Sequence, residues 1–263
     1  MKDGRVDYVG DWVKGHRKGH GKTITPGGNI YEGEHRGKPH GEGTLTTKDG
    51  QTYSGHFEKG VFVGADKPIF VYGSYEGESK NGLPHGKGKW ACVDGESYSG
   101  DWVNGLKEGV GKRIAPGQGE YEGEFRKDMP NGRGRMVDIL NKFTFDGEFV
   151  NGFRHGQGTN IDAEGTFVGT FDEGFKHGKG KLTLPNDDVY QGRWFGNMRR
   201  GPFLLSKADG SHLQQIYDDK GTLTDEKPVK AGMKILPGAC LYEGDLVNDK
   251  PHGKGRMINC LKS

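Results

Sequence analysis

The segment "GHGKTI", residues 19–24, has the residue types that end a phosphate-binding P-loop, because a glycine there precedes Lys and Thr. A P-loop also needs a glycine five positions before Gly21, where this chain has His16, and it must open a helix. Thr23 instead continues into a predicted strand. The sequence therefore does not support nucleotide binding, and we expect no cofactor.

Histidine is a common metal ligand, and the chain has 10 histidines. Five of them share one position of a repeating pattern, so their Cα atoms should lie about 10 Å or more apart along a sheet. They are His40, His85, His155, His177 and His252. Packing at turns is the favoured explanation, and no metal site is predicted. The cluster His16, His20, His35 and His40 is the one alternative left open.

Paired carboxylates such as Glu122 and Glu124 would suit acid–base catalysis. The same pair recurs in most repeats at positions that should face solvent, and basic residues occupy the neighbouring strand. These bases are Lys87, Lys112, Arg133, Lys179 and Lys254. We therefore predict cross-strand ion pairs, each worth about 0.2 to 1 kcal/mol, and no catalytic residue. The protein is expected not to be an enzyme.

The elements that carry these residues follow from a repeat of about 23 residues. An aromatic residue followed two positions later by glycine recurs at Tyr8, Tyr31, Tyr53, Tyr75, Tyr98, Tyr121, Phe145, Phe167, Tyr190 and Tyr242. A second apolar residue follows four positions after most of them. Residues at i, i+2 and i+4 share one face of a strand, and the positions between them are mostly acidic. This pattern predicts a half-buried strand.

The second half of each repeat reads as a returning strand, for example "GKGKWACV" at 86–93 and "GRGRMVDI" at 132–139. Each repeat is then a β-hairpin, and its glycines leave room for aromatic rings to lie over the sheet. We predict an all-β fold. It should be an elongated, single-layer antiparallel sheet of about ten consecutive hairpins, curved like a half-pipe or solenoid.

The repeat unit resembles the MORN repeat (membrane occupation and recognition nexus), whose pattern is roughly Tyr-x-Gly-x-Trp/Phe-x-x-Gly-x-x-His/Asn-Gly-x-Gly. The clearest copy is "YEGESKNGLPHGKGKW" at 75–90, and the third copy departs from the pattern at Val63 and Asp66. We expect a repeat array over residues 1–205 with about nine repeats. Residues 206–237 should be a degenerate repeat or a loop insertion, and 238–263 a terminal repeat.

Composition narrows the classes of partner. The formal net charge is +2, which gives no general attraction to nucleic acid. There is no apolar run of membrane-spanning length and no signal-peptide pattern at the N-terminus, so we expect a soluble, cytoplasmic protein. The chain has 3 cysteines, Cys92, Cys240 and Cys260, which we expect to be reduced and structurally incidental.

Proteins with MORN repeats include cytoskeletal and ciliary components, among them radial spoke heads. The resemblance therefore implies a non-enzymatic scaffold whose partners are protein subunits of a ciliary, flagellar axonemal or other cytoskeletal assembly. The alternative is an adaptor that binds phospholipid at a membrane surface. "NMRRGPF", residues 197–203, is the one local basic patch in the sequence, and it is small for that role.

Two surfaces are predicted to bind partners. The first is a long aromatic groove that should receive a peptide or helix, because rings not needed for packing would be exposed. Its residues are Tyr8, Trp12, Tyr31, Tyr53, Phe57, Tyr75, Tyr98, Trp102, Tyr121, Phe125, Phe149, Phe171, Tyr190 and Trp194. The second is the edge of the last strand, with Met257, Ile258 and Leu261, which should pair with another chain or a second copy.

Overall fold

The computed structural model describes residues 7–63, 65, 67–229, 233–236, 240–248 and 250–258. These residues form only strands and turns, and consecutive strands pair antiparallel. Strands β1–β7 form one sheet, β8–β21 a second and β22–β24 a third, each in chain order. The chain divides into two compact units, residues 1–130 and 131–263. The predicted all-β sheet of consecutive hairpins is confirmed.

Unit 1 contains strands β1 to β12. Their bounds are β1 Asp7–Val13, β2 His16–Ile24, β3 Ile30–Arg36, β4 Lys38–Thr46, β5 Thr52–Glu58, β6 Val61–Phe62, β7 Ile69–Phe70, β8 Gly73–Lys80, β9 Leu83–Cys92, β10 Ser97–Val103, β11 Leu106–Ala115 and β12 Gly119–Arg126. Strands β6 and β7 are much shorter than the others. They fall in the repeat copy that departs from the pattern, so the regular hairpin is interrupted there.

Unit 2 contains the remaining strands, apart from the first two residues of β13. Their bounds are β13 Met129–Asp138, β14 Phe143–Val150, β15 Phe153–Asp162, β16 Gly165–Asp172, β17 Phe175–Thr183, β18 Val189–Phe195, β19 Met198–Ser206, β20 His212–Tyr217, β21 Leu223–Pro228, β22 Lys234–Leu236, β23 Cys240–Val247 and β24 Lys250–Ile258. Residues 206–237 thus contain paired strands, and the predicted division into domains stays a prediction.

Most hairpins close through a two-residue turn. In Asn104–Gly105 both residues have positive φ, 48° and 80°, and Asn151–Gly152 repeats this with 50° and 86°. Two consecutive left-handed residues form a type I′ turn, whose twist matches that of the flanking strands, and Asn-Gly is its preferred sequence. Glu173, with φ of 46°, occupies the same turn position, although Glu tolerates a left-handed φ less well than Asn does.

Most hairpins also contain a β-bulge. Gly100 in β10 pairs with Gly111 in β11, but Trp102 pairs with Lys107, so β11 holds extra residues between the two pairs. The carboxylate of Asp101 accepts a hydrogen bond from the backbone N–H of Val110 at 2.9 Å. The acid therefore satisfies a donor that the bulge removes from the strand ladder. Caps of the same kind occur at Asp11 and Glu78.

The core is a line of rings over glycines. Tyr98 is buried, and its ring lies over Gly111, where an added Cβ would be 2.5 Å from Cζ and 2.6 Å from Cε2. Real Cβ atoms do not approach a ring that closely, so only glycine fits beneath it. Tyr31 over Gly43 and Phe145 over Gly158 show the same packing. The predicted role of the glycines is confirmed.

Candidate functional site

Many rings of the predicted groove pack edge to face on neighbouring rings within each unit. In unit 1 the centroid of Tyr98 lies 5.0 Å from that of Trp102 and 5.0 Å from that of Phe125, with interplanar angles of 88° and 85°. In unit 2 Phe167 stands 5.3 Å from Phe171 at 89° and 5.3 Å from Trp194 at 83°. The structure thus brings the predicted groove residues into line.

Most of these rings are nevertheless not exposed, contrary to expectation. The buried members are Tyr31, Phe57, Tyr98, Trp102, Tyr121, Phe125, Phe149, Phe171 and Trp194, and the half-buried ones are Tyr8, Tyr53, Tyr75 and Tyr190. Trp12, at 57% exposure, is the exception. Tyr31, Tyr75 and Tyr98 lie over glycine backbone, and most of the rings pack against a neighbouring ring, so little apolar surface is left over. A docking role for the groove stays a prediction.

Long cationic side chains cover the rings, a feature that the sequence analysis missed. The Arg199 guanidinium lies 3.8 Å from the centroid of Tyr190, and that of Arg154 lies 4.4 Å from the centroid of Phe143. Lys107 and Lys176 also lie over rings. These residues come nine positions after the first aromatic of their repeats, where other copies have proline. The presence of Lys or Arg in these copies and of proline in others was the signal available in the sequence. The contacts between these cations and the rings are cation–π interactions.

The covering cations differ in their counter-charges. Lys176 forms an ion pair with Glu164, and Arg199 Nη2 lies 3.8 Å from the same carboxylate. Arg154 donates to Asn160 Oδ1 and to the Gly174 carbonyl oxygen, both at 2.6 Å. Lys107 has no carboxylate within 4 Å of its amino group among the described residues, and burial lowers its pKa.

Several of the repeated carboxylates form the predicted cross-strand ion pairs. Lys112 Nζ lies 3.0 Å from Glu120 and 3.5 Å from Glu122, and Arg256 Nε lies 2.7 Å from Glu243. Exposed pairs of this kind contribute little to stability, typically about 0 to 1 kcal/mol. Because the acids serve as bulge caps and ion-pair partners, their repetition has a structural cause.

The histidines do not assemble a metal centre in the part of the chain that the structure describes, where no group of three or more His, Cys, Asp or Glu side chains could hold an ion. His35 is buried, with Nε2 2.9 Å from Thr23 Oγ1 and Nδ1 3.0 Å from the Gly33 carbonyl oxygen. Burial lowers the pKa of His35. Gly21 and Thr23 lie inside strand β2, so no helix begins where a P-loop would need one.

A cavity of about 680 Å³ lies within unit 1, beside the interrupted hairpin. Strands β7 and β9 provide the Phe70 and Trp90 rings of its lining, and Tyr72 lies just after β7. Lys107 also lines it. No sequence pattern predicted a cavity, because the residues that line it come from segments up to about a hundred positions apart.

A row of exposed apolar side chains occupies successive hairpin turns of unit 2. We call it the apolar tip row and define it as Val150, Phe153, Phe175, Phe195 and Met198. Phe153 and Phe175 are 60% and 51% exposed, and both follow the turn glycine of their hairpins. Neighbouring turns should lie about 10 Å apart, two strand spacings, which makes the row continuous.

Comparison with known proteins identifies the family. The MORN repeat matches residues 8–30, 31–52, 75–97, 98–119, 121–138, 145–166, 167–189 and 242–259, which is more than half of the chain. The chain belongs to the MORN repeat family. MORN repeats are interaction modules for proteins or membranes, and proteins built from them are generally non-enzymatic scaffolds. No curated protein matches this sequence.

Among solved structures, BamB from Moraxella catarrhalis is similar over 85% of this chain and 76% of its own, with 11% identity and a TM-score of 0.16. A TM-score this low carries no argument about the MORN array. The described residues contain no helix that is long and apolar enough to cross a membrane.

The predicted edge-pairing residues lie at the last MORN repeat. Strand β24 is the end strand of the three-stranded sheet, and Met257 in it is 54% exposed. Ile258 is the last residue of β24, and Leu261 lies outside the described residues. Pairing of this edge with another chain stays a prediction.

Proposed function

We propose that this MORN protein is a non-enzymatic scaffold that holds protein subunits of a cytoskeletal assembly together, the ciliary or flagellar axoneme being the first candidate. The observation that carries the proposal is the apolar tip row. Contiguous exposed apolar side chains on a soluble surface mark sites of interaction, and aromatic residues are enriched at the centres of protein interfaces.

The geometry of the tip row supports a protein partner. Phe153 reaches toward the next hairpin, where its Cδ1 lies 4.0 Å from the point at which a side chain on Gly174 would begin. Phe195 stacks on His177 with a centroid distance of 4.9 Å. Neighbouring turns therefore build one surface, which a partner helix or strand could follow across several hairpins.

The charges around the row favour protein over an anionic membrane. Arg199 and Arg200 form the small basic patch of the sequence, but both face carboxylates. Arg199 Nη2 lies near Glu164, which also pairs with Lys176, and Arg200 Nη2 lies 2.6 Å from Asp219. Asp172 and Glu173 are exposed beside the row. Electrostatic attraction to anionic lipid needs a cluster of uncompensated bases, each worth about 1 kcal/mol.

The test compares two double variants in affinity purification from native cells, with quantification of co-purifying proteins. Phe153→Ser/Phe175→Ser removes two rings of the row and should reduce the specific partners by at least about tenfold, as expected for buried aromatic anchors. Ile161→Thr/Val168→Thr is the matched control, because these strand residues are 52% and 50% exposed. It should retain the partners. Equal recovery with both variants would refute the tip row as the binding surface.

Membrane binding is the alternative, and flotation with vesicles distinguishes it. At physiological salt the protein should not bind vesicles in which about one lipid in three is anionic, since the bases near the tip row are paired with carboxylates. Strong flotation that Phe153→Ser/Phe175→Ser abolishes would replace the scaffold proposal with the adaptor. Imaging of the tagged protein in ciliated cells tests the axonemal part, and absence from cilia would contradict it.

A further inference from the structure

The cavity of unit 1 exists because one hairpin of the repeat is incomplete. Strands β6 and β7 have only two residues each. The Val71 N–H donates to the Gly60 carbonyl oxygen at 2.9 Å, and the Val93 N–H donates to the Tyr72 carbonyl oxygen at 3.0 Å. These backbone bonds fix the walls, so the cavity is preformed.

The size and lining of the cavity suit a small molecule. A volume of about 680 Å³ falls within the range of ligand pockets, roughly 300 to 1,000 Å³. The rings of Phe70 and Trp90 stand 6.3 Å apart at 47°, and Tyr72 lines the same space. Val61 and Leu83 add aliphatic surface. An apolar or aromatic body would therefore be well accommodated.

Lys107 gives the cavity its charge preference. Its amino group lies 5.4 Å from the Trp90 ring centroid and 5.2 Å from that of Tyr98, without the carboxylate that its equivalent Lys176 finds in Glu164. Glu96 and Asp128 act on Lys107 through space without an ion pair within 4 Å, and Glu96 is bound to Arg113 Nε at 2.7 Å. A half-buried cation among rings is stabilised strongly by an incoming anion, because little water competes there.

The other charges of the lining limit how much negative charge the ligand can carry. Arg17, Lys38 and Lys59 are its remaining bases, and Lys59 Nζ lies 3.8 Å from Asp128. Four lining carboxylates, Glu58, Asp94, Glu96 and Asp128, balance the four bases. A phosphate dianion or polyanion would meet these four carboxylates, whose repulsion grows with the charge of the ligand, so a single negative charge is favoured.

We infer that the cavity of unit 1 is a binding site for a small monocarboxylate with an aromatic or aliphatic body. The carboxylate pairs with the Lys107 amino group, and the body lies between Phe70, Tyr72 and Trp90. No covalent step is involved. The site is separate from the apolar tip row, so it adds ligand binding to the scaffold function without depending on it.

The test uses 2-naphthylacetate and its uncharged analogue 2-naphthylacetamide, with affinity measured by calorimetry on the full chain. The acid should bind at least about tenfold more tightly than the amide, since a hydrogen-bonded charge pair contributes about 1.5 kcal/mol or more. Lys107→Met keeps a side chain over the rings and should abolish the preference. Lys107→Arg should restore most of it.

Lys176→Met is the matched control, because it removes the equivalent cation of a repeat outside the cavity and should leave the preference unchanged. Circular dichroism verifies that each variant is folded. Equal binding of acid and amide to the unaltered protein, or a preference that survives Lys107→Met, would overturn the inference. So would tighter binding of inorganic phosphate than of 2-naphthylacetate, or no binding of the acid at millimolar concentration.

Discussion

Replacement of Gly111 by alanine tests the packing principle of the array. The new Cβ would start 2.5 Å from Cζ of Tyr98, about 1 Å inside an ordinary van der Waals contact. Tyr98 cannot move aside easily, because its ring is buried and stands 5.0 Å from both Trp102 and Phe125. Overpacking of an enclosed site costs about 1 to 3 kcal/mol, and we expect the upper end.

Backbone strain and steric overlap can be separated with a second glycine. Gly111 does not have a left-handed φ, so its substitution should cost only what the ring contact costs. Gly117 has φ of 74° with nothing within 4 Å of an added Cβ, so Gly117→Ala should cost only the strain, about 1 to 2 kcal/mol. In a Tyr98→Ala background, Gly111→Ala should be nearly neutral because the overlapping ring is gone.

Hydrogen exchange of β10 to β12 is the appropriate measurement, since repeat arrays unfold locally and a single global midpoint averages over the repeats. A cost of Gly111→Ala below about 1 kcal/mol would refute the reasoning, given the overlap. So would an equal cost with and without the Tyr98 ring.

Two further predictions concern the turns and the bulges. Glu173→Asn should raise the free energy of unfolding by about 0.5 to 1 kcal/mol, because Asn tolerates the left-handed φ better than Glu does. Asn151→Glu, the reverse change at the same turn position, should lower it. Urea titration measures both changes, and effects of the same sign would contradict the prediction. The hydrogen bonds that Asp101 accepts from Lys87 and from the Val110 N–H lower the pKa of its carboxyl group. The ionised carboxylate therefore stabilises the folded state above the ordinary pKa of Asp, and this contribution is lost as pH falls through the lowered pKa. Asp101→Asn should therefore reduce the loss of unfolding free energy between pH 7 and about pH 3, and an unchanged pH profile would contradict the capping role.

The repeat was predictable from the sequence because its physical cause is local. A ring at Tyr98 needs a glycine under it, and Asn104 followed by Gly105 specifies a type I′ turn. The bulge was missed because its extra residues lie in the returning strand. Tyr98, Gly100 and Trp102 alternate in the same way whether or not the partner strand is regular.

The exposure of the rings could not be predicted in the same way. Whether Arg154 or Lys176 extends into solvent or folds back over a ring depends on the next hairpin, which supplies the Phe171 ring to Arg154 and the Trp194 ring to Lys176. The cavity required still more, because strands β6 and β7 became short through a departure from the pattern at Val63 and Asp66. A departure shows where regular packing fails, but not what replaces it.

The contrast between a regular repeat and the third copy indicates where this MORN protein can bind a ligand specifically. In a regular repeat the glycine lies under the ring and the covering cation finds a counter-charge, as Lys176 does with Glu164, so each group is already satisfied. A hairpin whose groups are all satisfied offers a ligand little to bind. Beside the incomplete third copy, walls separate around a cavity, and Lys107 in its lining has no carboxylate within 4 Å of its amino group among the described residues. Binding free energy is available at groups that folding leaves unsatisfied, so the departures from the repeat should determine its small-molecule ligand.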